Sequence, residues 1–166
     1  MSEEAVYIDE SGPDLRLSVS GHMTAQLCPS LKSAFMARLP RIFDGRVRID
    51  LSACEYMDSS FLGLLVQFSK AATATGLSKP VLHGVGNICR ELLETMGMTR
   101  LFEYSDSPCA LASPRMIESA SAGGIGASFL LETHRELEIL SPENRARFRD
   151  LTAMLERESE NEDSPE

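Results

Sequence analysis

The fold prediction rests on the stretch Ile49-Asp50-Leu51-Ser52-Ala53-Cys54-Glu55-Tyr56-Met57-Asp58-Ser59-Ser60-Phe61-Leu62-Gly63-Leu64-Leu65. Its first part is typical of a buried strand, and a helix is predicted to begin at Asp58-Ser59-Ser60. The N–H groups at a helix start have no partner within the helix, so Asp and Ser oxygens commonly cap them. The same positive end favours a phosphate on a hydroxyl. The stretch therefore predicts a strand–loop–helix unit whose serines are caps and candidate kinase targets.

Strands and single helices alternate on both sides of this unit. Apolar and polar residues alternate around Gly12-Pro13-Asp14, which predicts a hairpin. The predicted elements are, in order, strands at 5–10 and 15–20, a helix at 24–39, a strand at 47–51, a helix at 59–75, a strand at 80–85, a helix at 88–96, a strand at 101–104 and a short helix beginning within 108–111. Such an order favours an α/β domain, expected over residues 1–112, with a mixed, mainly parallel sheet and helices packed on it.

The composition changes after residue 112. Residues 113–127 are rich in Gly, Ser and Ala, which is typical of a linker. Two amphipathic helices are expected within 128–158, the second capped by Ser141 and followed by Pro142. The acidic, apolar-poor residues 159–166 are expected to form a disordered tail. The helix pair either extends the core or covers a domain face as a partner interface, and the pattern leaves both readings open.

Charge and composition exclude several classes of function. The net charge of −9 argues against nucleic-acid binding, which depends on clustered Lys and Arg. No apolar run approaches the roughly 20 residues of a membrane-spanning helix, so no membrane insertion is expected. The acidic N-terminus has no signal-peptide features, and we expect a cytoplasmic protein. The cysteines are widely spaced, so no metal site, disulfide or cofactor is expected; they are Cys28, Cys54, Cys89 and Cys109.

The three histidines offer little support for catalysis. They lie far apart, and none has a nucleophile and a carboxylate at motif spacing. His83 is expected to be a core histidine within a strand, and His134 is expected on a helix surface. Ser59 does not lie in a G-x-S-x-G elbow. An enzyme that uses Ser59 as its nucleophile is therefore the least supported reading, and we expect no enzymatic activity.

The string Asp50-Leu51-Ser52 … Tyr56-Met57-Asp58-Ser59-Ser60 … Leu62-Gly63 closely resembles the STAS domain. That family includes anti-sigma factor antagonists and the cytosolic tails of sulfate transporters. The predicted element order also matches the family fold, over about residues 6–112. The resemblance implies a partner switch: the serine after the Asp is phosphorylated by an anti-sigma factor that is also a serine kinase. The unphosphorylated antagonist captures that anti-sigma factor and frees a sigma factor for transcription.

Transferred to this chain, the resemblance implies phosphorylation at Ser59 and partner binding through Thr24, Asp58, Ser59, Ser60 and Phe61. A phosphate adds about −1.5 to −2 charges at pH 7, which disfavours docking against an acidic or apolar surface. Two positions depart from the family pattern. Phe61 stands where the family usually has Gly, and Thr24 where phosphorylatable members commonly have Asp. These departures motivate the alternative of a non-phosphorylated STAS scaffold or accessory subunit of a transport or sensory complex. Homodimerisation is left open.

Overall fold

The computed structural model describes residues 3–119 and 124–164. Part of the predicted linker, residues 120–123, lies outside the described residues. The strands are β1 (Ala5–Asp9), β2 (Leu15–Met23), β3 (Val47–Met57), β4 (Val81–His83), β5 (Glu103–Ser105) and β6 (Arg115–Met116). The α-helices are α1 (Cys28–Arg38), α2 (Ser59–Ala74), α3 (Asn87–Thr95), α4 (Ala127–Leu140) and α5 (Pro142–Glu162). Short 3-10 helices lie at Ala25–Leu27, Leu39–Arg41 and Thr99–Leu101.

The strands form one sheet in the order β5-β4-β3-β2-β1-β6. The pairs β2–β3, β3–β4 and β4–β5 are parallel, and β1 is antiparallel to both β2 and β6. Strands joined through single helices must cross over, which explains why the central pairs are parallel. The α/β prediction with a mixed, mainly parallel sheet is confirmed.

Helix α2 lies at the centre of the molecule. Most of its side chains are buried, from Ser60 near its start to Ala72 near its end. A helix that is apolar nearly all round must be covered on more than one side. The sheet and α1 cover one side, where the rings of Phe35 and Phe68 stack with their centroids 3.8 Å apart. Helix α4 covers another side.

Two local predictions between residues 106 and 118 are wrong. No helix forms at 108–111; this segment is an irregular loop in which Cys109 is buried. Arg115–Met116, expected in the linker, adds an edge strand beside β1, and Ile117 enters the core. Long-range hydrogen bonds explain both differences. The Asp9 carboxylate accepts the N–H groups of Ala112 (2.7 Å) and Ser113 (3.1 Å), which holds this segment beside β1.

Helices α4 and α5 form an antiparallel pair, which we call the C-terminal hairpin (residues 127–162). Its second helix begins as predicted, with the Ser141 hydroxyl accepting the N–H of Asn144 at 3.0 Å. Helix α5 continues to Glu162, so the expectation of disorder from residue 159 is wrong over its first four positions. Glu and Arg are strong helix formers, which explains the extension. The predicted helix pair is confirmed.

No helix of the described residues is both long and apolar enough to cross a membrane.

Candidate functional site

The predicted site lies where β3 ends and α2 begins. Asp58 is the N-cap, as predicted: its carboxylate accepts the N–H of Phe61 at 2.9 Å. The Asp58 N–H donates to the carbonyl of Met23 at 2.9 Å, so the end of β2 lies against the start of α2. Burial raises the pKa of Asp58, and hydrogen bonds from the backbone of Phe61, Ala25 and Ser60 oppose that rise.

Thr24 follows Met23 directly and therefore lies next to this helix start. Its hydroxyl caps the 3-10 helix Ala25–Leu27 by accepting the N–H of Gln26. The carboxylate of Glu4 accepts hydrogen bonds from the Thr24 N–H (3.2 Å) and hydroxyl (3.1 Å). The fold thus brings Thr24 and Asp58 together, which the sequence could suggest only through family resemblance.

Ser60 and Phe61 are not surface residues in this structure. Ser60 is 6% exposed and Phe61 is fully buried in the core. Both side chains lie on the inner side of the first turn of α2. Among the five predicted partner-binding residues, Thr24, Asp58 and Ser59 are half-buried, and only these three reach the surface. Phe61 shapes the surface from beneath.

The Ser59 hydroxyl is hydrogen-bonded to a residue far away in sequence. Its Oγ lies 2.8 Å from Nε2 of His134 on α4. The other ring nitrogen, Nδ1, lies 2.7 Å from the carbonyl oxygen of Leu130. A carbonyl only accepts, so Nδ1 carries a hydrogen; in the neutral imidazole Nε2 then accepts a hydrogen bond from the Ser59 hydroxyl. His134 is 3% exposed, so the expectation that it lies on a helix surface is wrong. His83 is buried as expected.

Close backbone contact between α2 and α4 explains this burial. A Cβ added at Gly63 would lie 2.2 Å from the carbonyl oxygen of Thr133, so only glycine permits the observed approach. Two ion pairs flank the contact, Lys70 with Glu136 at 2.7 Å and Lys32 with Glu132 at 3.2 Å. The sequence signal was a glycine in an otherwise bulky apolar helix, which indicates that another backbone comes close.

The Ser59–His134 pair has two members of a nucleophile–base arrangement, with a backbone carbonyl that orients the base. The imidazole is buried between Ser59 of α2 and the ring of Phe148 of α5, whose centroid lies 5.4 Å from that of the imidazole. A cavity of about 620 Å³ lies away from this pair, on the polar side of the sheet around Arg16, Arg48 and His83. Arg48 in that cavity is already paired with Asp14, at 2.9 Å. Neither Ser59 nor His134 lines this cavity.

Residues 6–103 match the family model described as "Mlab, STAS domain". The chain belongs to the STAS-domain family. No similar sequence was found among curated proteins. Among solved structures, the STAS-domain chain is similar to "the Anti-Sigma Factor Antagonist SpoIIAA in its Unphosphorylated Form". The TM-score is 0.52 at 11% identity, covering 59% of this chain and 85% of that one. At this identity the likeness shows the fold, and the fold predicted by family resemblance is confirmed.

The family match ends before the C-terminal hairpin. Asp58 and Ser59 lie inside the matched STAS residues, whereas the histidine that binds Ser59 comes from outside them. The hairpin is therefore an addition to the matched STAS domain, and it packs on the helix that carries the predicted site.

Proposed function

We propose that this STAS-domain protein is a cytoplasmic anti-sigma factor antagonist, a partner switch rather than an enzyme. Its partner is an anti-sigma factor with serine kinase activity, and its control point is Ser59. The observation that carries the proposal is the position of the Ser59 hydroxyl at the start of α2, directly after the Asp58 N-cap. This is the position at which the family resemblance locates the phosphorylated serine.

The local chemistry supports phosphate as the switch. The Ser59 hydroxyl donates a hydrogen bond to the neutral imidazole of His134, and a phosphate ester at Ser59 has no hydroxyl hydrogen with which to make that bond. A phosphate of about −1.5 to −2 charges beside the Asp58 carboxylate also adds like-charge repulsion. Switches of this kind need a coupling of only about 1–3 kcal/mol, which changes affinity about 5- to 150-fold. One phosphate at Ser59 is sufficient for such a change.

The proposed partner surface is formed by Thr24, Asp58 and Ser59, with Ser60 and Phe61 supporting it from the core. A partner surface that is apolar or acidic where it meets Ser59 would lose affinity on phosphorylation, because a phosphate disfavours docking against such a surface.

The test is affinity purification from the source cell with full-length wild-type, Ser59→Ala and Ser59→Asp proteins as baits. We expect a serine kinase to co-purify with wild type and Ser59→Ala, and its recovery to fall at least fivefold with Ser59→Asp. Mass spectrometry should map phosphate to Ser59. Ser52→Asp, at an exposed serine of β3, is the matched charge control. Equal recovery with Ser59→Asp, or phosphate confined to another residue, would refute the phosphorylation switch.

A second candidate function is a non-phosphorylated scaffold or accessory subunit of a transport or sensory complex. The engagement of the Ser59 hydroxyl by a buried imidazole favours it, because a hydrogen-bonded, half-buried hydroxyl is a poor kinase target. The same purification separates the two candidates. A scaffold would co-purify with membrane proteins, carry no phosphate at Ser59, and bind equally well as Ser59→Asp.

A further inference from the structure

We propose that the face of α2 around Ser59, Gly63 and Lys70 is a docking surface for an amphipathic helix of a partner protein. The chain's own α4 occupies this surface, so a partner helix binds in competition with α4. The identity of the partner rests on the proposed function, whereas the docking surface itself does not. We call these residues the α2 face.

The first observation is the shape of the contact. The groove at Gly63 accepts a helix backbone, because the carbonyl of Thr133 lies where any side chain at position 63 would extend. Such close contact between helices needs a small residue on one of them. The α2 face therefore fits a helix, and α4 shows how: His134 lies opposite Ser59, and the backbone carbonyl of Thr133 lies opposite Gly63.

The second observation is charge. Two lysines on the domain side pair with two glutamates of α4, through Lys70–Glu136 and Lys32–Glu132. Lys32 also lies over the ring of Phe129, 5.6 Å from its centroid. A competing helix is thus expected to place acidic side chains opposite Lys32 and Lys70 and an aromatic ring beside Lys32. This local basic edge is distinct from the acidic character of the whole chain.

The third observation is the polarity of the hairpin's buried contacts. Two buried polar side chains of the hairpin bond to the domain: His134 to the Ser59 hydroxyl, and Asn144 to the carbonyl of Met96. Interfaces between separable units within one chain are more polar than a core, and relative movement is their default behaviour. The hairpin also follows residues 119–126, which are Gly, Ala and Ser except for Ile125. Such a tether keeps the hairpin at high effective concentration after release.

The consequence is a gate on the proposed site. While α4 occupies the α2 face, the Ser59 hydroxyl is bound to His134 and is unavailable to a partner or a kinase. A helix that displaces α4 frees that hydroxyl. Because the hairpin competes, the apparent affinity for a partner equals the intrinsic affinity multiplied by the fraction of molecules with an open α2 face.

The experiment uses the full chain and a fluorescein-labelled peptide of residues 126–164 as the probe helix pair. In the full-length double variant His134→Ala/Glu136→Lys, the C-terminal hairpin loses its hydrogen bond to Ser59 and its ion pair with Lys70, while the residues of the α2 face are unchanged. One hydrogen bond and one ion pair together account for about tenfold in the opening equilibrium. We therefore expect the variant to bind the peptide about tenfold more tightly than wild type does, measured by fluorescence anisotropy.

Adding Gly63→Ala to that variant is expected to abolish peptide binding, because the new methyl group blocks the groove. A peptide that carries the same two α4 substitutions is the matched control and should bind about tenfold more weakly. Circular dichroism verifies folding, and His134→Gln/Glu136→Gln is the milder replacement if the first variant unfolds. Equal binding by wild type and variant, or binding that survives Gly63→Ala, overturns the docking surface. Failure of the proposed function appears separately, as Ser59→Asp that still recovers the kinase.

Discussion

Replacing Gly63 with alanine tests how closely α4 lies on α2. In an exposed helix interior, this change stabilises a protein by about 0.5–1 kcal/mol. Here the new Cβ would lie 2.2 Å from the oxygen, 2.7 Å from the carbonyl carbon and 2.9 Å from the Cβ of Thr133. The first two atoms are backbone, so no side-chain rotation relieves the clash. Helix α4 must move, and the predicted effect therefore has the opposite sign to the usual one.

The magnitude follows from two costs and one gain. Overpacking of a closed contact costs about 1–3 kcal/mol. Moving α4 also stretches the Ser59–His134 hydrogen bond, whose net contribution is about 1 kcal/mol. Subtracting a helix-propensity gain of about 1 kcal/mol leaves a net loss of about 1–3 kcal/mol in the free energy of unfolding. For a chain of this size, each kcal/mol lowers Tm by about 2–4 °C.

Urea and thermal unfolding of the full-length protein, followed by circular dichroism, measure this loss. Gly12→Ala is the matched control, because a Cβ at Gly12 meets nothing within 4 Å. It should leave stability unchanged or raise it by up to about 1 kcal/mol. Hydrogen exchange of the α4 amides should also accelerate in Gly63→Ala. If Gly63→Ala proved as stable as wild type or more so, the close approach of α4 to α2, and the docking surface inferred from it, would be refuted.

Three further experiments test individual hydrogen bonds, each by urea unfolding. A double-mutant cycle of Ser59→Ala and His134→Ala should give a coupling energy of about 0.5–1.5 kcal/mol, and zero coupling would contradict the bond. Hydrogen bonds from the side chain and backbone of Ser11 hold the pKa of Asp9 well below its ordinary value. The ionised Asp9 therefore contributes to the free energy of unfolding above about pH 4, and this contribution is lost as the pH falls through the lowered pKa. Asp9→Asn should lower the free energy of unfolding at pH 7 and make it depend less on pH in the acid range. Asn144→Ala should cost about 1–3 kcal/mol, because the buried amide donates to two backbone carbonyls at 2.9 Å each; an unchanged midpoint would exclude those bonds.

The strand–helix unit at the site was predictable because its determinants are local. Buried and less buried residues alternate along the first part of β3. Each of the two capping side chains, Asp58 for α2 and Ser141 for α5, accepts the N–H of the residue three positions later. Alternation and capping act within about ten residues, so they can be identified without knowledge of the fold. The family resemblance rests on this same local unit.

Other features depend on contacts between distant parts of the chain, and they were missed for that reason. His134 lies 75 residues after Ser59, and a helical pattern shows only that a histidine lies on α4, not what α4 packs against. The loop at 108–111 and strand β6 are fixed partly by Asp9, more than 100 residues earlier. Helix propensity near residue 108 is outweighed by those long-range bonds.

The burial of Phe61 changes what its departure from the family pattern implies. Phenylalanine in place of the usual glycine is one of the two departures that motivated the alternative of a non-phosphorylated scaffold. The Phe61 ring instead points into the core and has no exposed surface, so it does not block an approaching partner. What covers Ser59 is His134, on a helix outside the family-matched residues. If the α2 face is the docking surface we propose, access to the Ser59 hydroxyl depends on the stability of the α2–α4 contact, and substitutions in α4 should alter partner binding more than conservative changes at Phe61.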